Sequence, residues 1–142
     1  MAYLLDTNHC SYIINGLHRK PVYRKTQEIR AVTAFESLKQ PAYTCDVVAG
    51  EMFYGAEISN NPQETYRRIE VFLKTVAPLV ADKESWMLFA ATKAELTRNG
   101  KVITDFDLLI ASIAHRHGYT LVTNDSAFKH LPSAFKVENW VG

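Results

Sequence analysis

The sequence predicts an α/β fold: a single three-layer domain with a mostly parallel central sheet flanked by helices. Short apolar runs of strand character alternate with longer stretches of helical period along the whole chain. That alternation builds parallel sheets through βαβ crossovers. Two of the apolar runs, Tyr3-Leu4-Leu5 and Thr120-Leu121-Val122-Thr123, end directly on Asp6-Thr7-Asn8 and Asn124-Asp125. Polar groups at strand carboxyl ends mark the edge where parallel sheets bind ligands. The 142 residues hold no repeat, low-complexity tract or dividing linker, so residues 1–142 are expected to form one domain.

In chain order, residues 2–5 read as a strand and 8–15 as a short helix, closed by Gly16 at a C′ position. Pro21 is expected to open a second helix to about Leu38, with Val22, Ile29, Val32 and Phe35 on one face. Gln40-Pro41 breaks it. Residues 42–45 form a strand, and Asp46 is placed to cap a helix running to Ile58. Pro62 starts a helix with Ile69, Phe72, Leu73 and Val76 on one face, and Pro78 ends it. Asp82 opens the next helix, which Asn99-Gly100 closes. Residues 104–117 follow as a strong helix stopped by Gly118, then a strand to Thr123, a turn over 126–132 and a last strand over 135–138.

Composition narrows the function classes. With 47% hydrophobic and 22% charged residues the chain is an ordinary globular protein, not a disordered one. A net charge of +1 supplies no global field for nucleic acid, so such binding must come from local patches. No apolar stretch approaches the roughly 20 residues of a membrane span, and the signal-peptide pattern is missing. Cys10 and Cys45 make no disulfide framework and no metal-spaced pair. A reduced, cytoplasmic setting is expected.

Four carboxylates stand out: Asp6 and Asp125 after the two strands, Glu51 and Asp107 near the starts of two helices. Each has a plainer reading. Asp6 suits an N-cap, Asp107 a capping box opened by Thr104, and Asp125 a turn. Glu51, flanked by Val47, Val48, Met52 and Phe53, is harder to explain that way. Strand C-termini and helix N-termini share one edge of a parallel sheet, so all four acids are expected there together. Charges about 4 Å apart repel by several kcal/mol at an effective dielectric near 20. A divalent ion reverses that repulsion, and all-oxygen ligation selects Mg²⁺ or Mn²⁺ over zinc. His115 and His117 lie roughly 200° apart on a helix and cannot form a zinc pair. No Gly-x-Ser-x-Gly elbow and no Gly-rich phosphate loop is present.

These segments resemble a known family. Leu4-Leu5-Asp6-Thr7-Asn8, Gly50-Glu51-Met52-Phe53-Tyr54-Gly55-Ala56, Asp107-Leu108-Leu109-Ile110-Ala111 and Leu121-Val122-Thr123-Asn124-Asp125 are similar to the four signature blocks of PIN-domain nucleases. With Asn139-Trp140 they look most like VapC-type toxins of bacterial toxin–antitoxin pairs. The resemblance spans essentially the whole chain and implies a PIN-like fold and an Mg²⁺- or Mn²⁺-dependent endoribonuclease. It also implies a usual homodimer and a small VapB-like antitoxin. Asp6, Glu51, Asp107 and Asp125 match the family's catalytic, metal-holding acids, and Thr7 and Asn8 its site-organising polar positions. Asp105 is a second acid beside Asp107, and the family uses either position of Asn124-Asp125. His9-Cys10 stands where the family usually has an aliphatic pair, and Cys45 where a serine is common.

Arg98 and Lys101, just ahead of Asp107, are candidate phosphate contacts. Arg19, Lys20, Arg24, Lys25 and Arg30 read either as a basic arm beside the site or as a solvated helix face. Two rival functions remain. A phosphatase or phosphotransferase would use Asp6 as nucleophile, although Asn8 stands where such sites want a second aspartate. A non-catalytic RNA-binding protein would have no reason to keep four anions.

Overall fold

A computed structural model describes residues 1–142. Five strands, β1 (Tyr3–Leu5), β2 (Ala42–Cys45), β3 (Pro78–Leu79), β4 (Thr120–Val122) and β5 (Val137–Glu138), form one sheet in the order β3-β2-β1-β4-β5. Every pairing is parallel. Six helices flank it: α1 (Thr7–His18), α2 (Thr26–Glu36), α3 (Asp46–Glu57), α4 (Pro62–Thr75), α5 (Lys83–Arg98) and α6 (Asp105–Arg116). The predicted three-layer α/β architecture is the one observed.

β1 is central, with β2 on one side and β4 on the other, and their registers align Leu4 with Tyr43 and Leu5 with Val122. The chain winds outward from β1 to β3, then returns to the other side of β1. Right-handed crossovers on both excursions put α5 and α6 on the face opposite α1 and α2. The reversal leaves a crevice at the carboxyl ends of β1 and β4, where open α/β sheets bind ligands. Leu4, Leu5, Leu121 and Val122 are fully buried with Ile13 of α1 and Ile110 and Ile113 of α6. Both faces of the central strands are covered, which is why β1 and β4 read as near-continuous apolar runs and not as alternating ones.

Several boundaries differ from the sequence expectation. Gly16 is not a C′ residue, because α1 continues to His18 and is closed by the Arg19 N–H on the Asn15 carbonyl. Pro21 does not open the long helix. It starts a 3₁₀ turn over Pro21–Tyr23, and an extended Arg24-Lys25 precedes α2. Pro78 does more than follow α4, since it begins the two-residue β3 on the open edge beside β2. Proline is tolerated there as the first residue of an edge strand. No helix is long and apolar enough to cross a membrane.

Candidate active site

Asp6 is the residue at which β1 becomes α1. Its backbone N–H continues the sheet by donating to the Val122 carbonyl at 3.1 Å, and its side chain caps α1 by accepting the His9 N–H at 2.9 Å. Capping and siting at the sheet edge are thus one arrangement. The carboxylate is 6% exposed and its second oxygen accepts from the Thr123 hydroxyl at 2.5 Å. Thr123 follows β4, so the two strands that flank the crevice are joined through Asp6.

Thr7 donates its hydroxyl to Glu51 Oε1 at 2.8 Å, which draws the second turn of α3 to the start of α1. Asn8 Nδ2 donates to Asn124 Oδ1 at 3.4 Å, and Asn124 Nδ2 to the Tyr12 hydroxyl at 3.2 Å. Asp125 caps the 3₁₀ turn Ser126–His130 by accepting the Ala127 N–H at 2.9 Å. Asp107 lies in the first turn of α6, capped by Thr104. Asp6 and Asp125, from two other parts of the chain, lie near enough to Asp107 for their charges to act on it, and Thr7 ties Glu51 to the start of α1.

The charges feel one another. Burial raises the Asp107 carboxyl above its ordinary value, the negative charges of Asp125 and Asp6 push the same way, and hydrogen bonding with Thr104 opposes them. None of Glu51, Asp107 and Asp125 has a lysine or arginine within salt-bridge distance. The acids are grouped without being drawn to a point: no three of them are arranged as a ready ligand set. As donors they suit a hard divalent cation, being all oxygen, anionic and uncompensated. Glu51 and Asp107 are half-exposed, so solvent and ions reach both.

The PIN-domain family model matches residues 3–134. The chain belongs to the PIN-domain family. It is 30% identical to Ribonuclease VapC2 of Haemophilus influenzae over 99% of both chains. It is 27% identical to the tRNA(fMet)-specific endonuclease VapC of Shigella flexneri, over 99% of this chain and 98% of that one. Among solved structures it is similar to VapBC2 from Rickettsia felis bound to a DNA fragment from their promoter. There the TM-score is 0.83 and the identity 29%, over 99% of both chains.

On this PIN scaffold the other candidate residues fall in distinct places. Asp105 is exposed and paired with Lys93 at 2.9 Å, whereas Asp107 faces the acids. Arg98, the last residue of α5, and Lys101, in the connection to α6, are both exposed shortly before α6 begins. The basic stretch is elsewhere. α1 carries the chain roughly 18 Å from Asp6 before it begins, and its arginines bond within the α1–α2 pair and to Val141. Arg19 meets the buried Glu28 at 3.1 Å, Arg24 donates to the Gly16 carbonyl at 2.7 Å and Arg30 to the Val141 carbonyl at 2.9 Å. These three arginines brace the packing of α1, α2 and residues 139–142, while Lys20 and Lys25 are exposed. Thr123 and His9, which both hold Asp6, were not singled out as site residues in the sequence. Thr123 could have been found as a hydroxyl at a strand end, but nothing local shows that it reaches across 117 positions to Asp6.

Proposed function

We propose that this protein is an endoribonuclease that hydrolyses RNA phosphodiester bonds with the help of Mg²⁺ or Mn²⁺, and acts as the toxin of a toxin–antitoxin pair. The observation that carries the reading is the uncompensated acid group at the β1–β4 crevice of a PIN-domain chain. Residues 1–142 act as one nuclease domain. Asp6, Glu51, Asp107 and Asp125 would hold the ion, which would supply Lewis-acid polarisation of the scissile phosphate and a water of lowered pKa.

The protein's own groups do the rest. Thr123 and His9 hold the two oxygens of the Asp6 carboxylate, and Thr7 keeps Glu51 at the mouth of α1. Asn8 and Asn124 present amides at the crevice rim for the RNA backbone. Arg98 and Lys101 supply positive charge for flanking phosphates, beside a site that is otherwise anionic. The phosphotransferase alternative fits less well. Both oxygens of Asp6 already accept hydrogen bonds in a buried setting, which blunts a nucleophile.

The similarity to a tRNA-specific endonuclease makes transfer RNA the first substrate to test, and the similarity to VapBC2 supports a small VapB-like antitoxin as partner. Homodimerisation and a cytoplasmic location belong to the same reading. Tyr54 and Phe106, exposed on the wall of one cavity beside Glu51, offer apolar surface for a second copy. The deciding experiment incubates purified protein with transfer RNA and total RNA, in Mg²⁺ and in EDTA. Cleavage in Mg²⁺ alone, lost in Asp6→Asn, supports the reading; cleavage indifferent to both refutes it.

A further inference from the structure

His9 is fully buried, one turn into α1, and both of its ring nitrogens are engaged. Nε2 lies 3.4 Å from the backbone nitrogen of Trp140, which has only a proton to offer. An N–H aimed at Nε2 requires a lone pair there, so the proton of the neutral ring sits on Nδ1. Nδ1 is 3.1 Å from Asp6 Oδ1, and the His9 backbone N–H reaches the same oxygen at 2.9 Å. One Asp6 oxygen is therefore held twice by His9 and the other once by Thr123. The ring is kept in place by the edges of Tyr12 and Trp140, with centroids 5.9 and 6.1 Å away. Trp140 packs in turn on Tyr3 of β1, 5.6 Å between centroids. Its backbone belongs to a terminal segment fastened by Asn139 Oδ1, which accepts the Val141 and Gly142 N–H groups, and by Arg30 on the Val141 carbonyl.

We propose that His9 is a positioning residue: its Nδ1–H sets the orientation of the Asp6 carboxylate, and the Trp140 N–H fixes the tautomer that makes this donation available. The terminal segment thereby becomes part of the active-site support. Groups that orient an ion-holding side chain matter nearly as much as the side chain itself, their loss costing about 10–100-fold in metal affinity or activity. The inference rests on the reading of Asp6 as a site acid.

Asparagine and glutamine separate the two ring nitrogens. The amide nitrogen of His9→Asn falls near the place of Nδ1, that of His9→Gln near the place of Nε2. A merely structural role would rank the two alike. Mn²⁺ alone, titrated into the full chain and followed by electron paramagnetic resonance, reports affinity independently of turnover. Binding by His9→Gln should weaken by about 10–100-fold, with a parallel fall in kcat and an unchanged KM for RNA. His9→Asn should restore most of both. Native-like Mn²⁺ affinity in His9→Gln, or equal losses in the two variants by whatever route, would overturn the proposal. Asp6→Asn is the reference: if it leaves Mn²⁺ binding and cleavage intact, the acid-site reading itself fails. If it abolishes them while His9→Gln behaves as native, only the role of His9 fails.

Discussion

At Asp107, burial and the charges of Asp125 and Asp6 raise the carboxyl pKa, while Thr104 pulls it down. A folded-state pKa above the unfolded one means the folded protein holds that proton more tightly. The stability this confers is fully present below the ordinary value of 3.8 and is lost as pH rises through the raised folded value. At neutral pH the Asp107 anion therefore opposes folding in the absence of metal. Asp107→Asn should raise Tm in EDTA at pH 7, and the gain should vanish as the pH is brought below 3.8. A thermal melt at several pH values checks it, and a gain independent of pH would show that charge is not the cause. The same substitution should abolish RNA cleavage, as should Asp6→Asn, while Asp105→Asn should be tolerated because Asp105 points to Lys93. Loss in Asp105→Asn with native cleavage by Asp107→Asn would mean that the roles are reversed.

Between elements, α2 crosses α1 closely at Gly16. A Cβ on Gly16 would sit 2.7 Å from Val32 Cγ2 and 3.3 Å from Glu28 Cβ. Gly16→Ala should force the two helices apart and cost about 1–3 kcal/mol, read as a lower midpoint in urea. An unchanged midpoint would show that the pair has slack. This crossing also explains what was hidden in the sequence. Glycine after a helical run signals a stop as readily as a close contact, and only the position of Val32 separates the meanings. Pro21 similarly fits a helix start of either kind, and the extended Arg24-Lys25 is held by contacts to Gly16 and Glu28 that no local pattern announces. β3 is too short to show a period. By contrast α4, α5 and α6 were legible from their ends, because Pro62 stands at the first position of α4 and Asp82 and Thr104 each cap through a side-chain oxygen.

For the whole molecule, the candidate site was legible because topology alone gathers strand ends and helix starts on one edge. What was not legible is how each acid is held. Thr123 reaches Asp6 from the end of the neighbouring strand, His9 meets it from the first turn of α1, and Arg19, Arg24 and Arg30 bond to Glu28, Gly16 and Val141. A metal that binds the folded acids stabilises the entire fold, by about 2.7 kcal/mol at ~100 times its Kd. Millimolar Mg²⁺ or Mn²⁺ should therefore raise Tm, and neutralising any one of the four acids should blunt the rise. A melting curve indifferent to metal would mean that the acids do not share an ion. Metal-assisted hydrolysis is tested most directly by the ends of the product. A short RNA cut by the purified protein in Mg²⁺ should carry 5′-phosphate and 3′-hydroxyl termini, with cleavage surviving loss of the 2′-hydroxyl at the cut site and stopping in EDTA. Cyclic 2′,3′-phosphate ends, formed in excess EDTA, would contradict it and turn attention to the partly exposed His130, since His9 is buried with both ring nitrogens engaged.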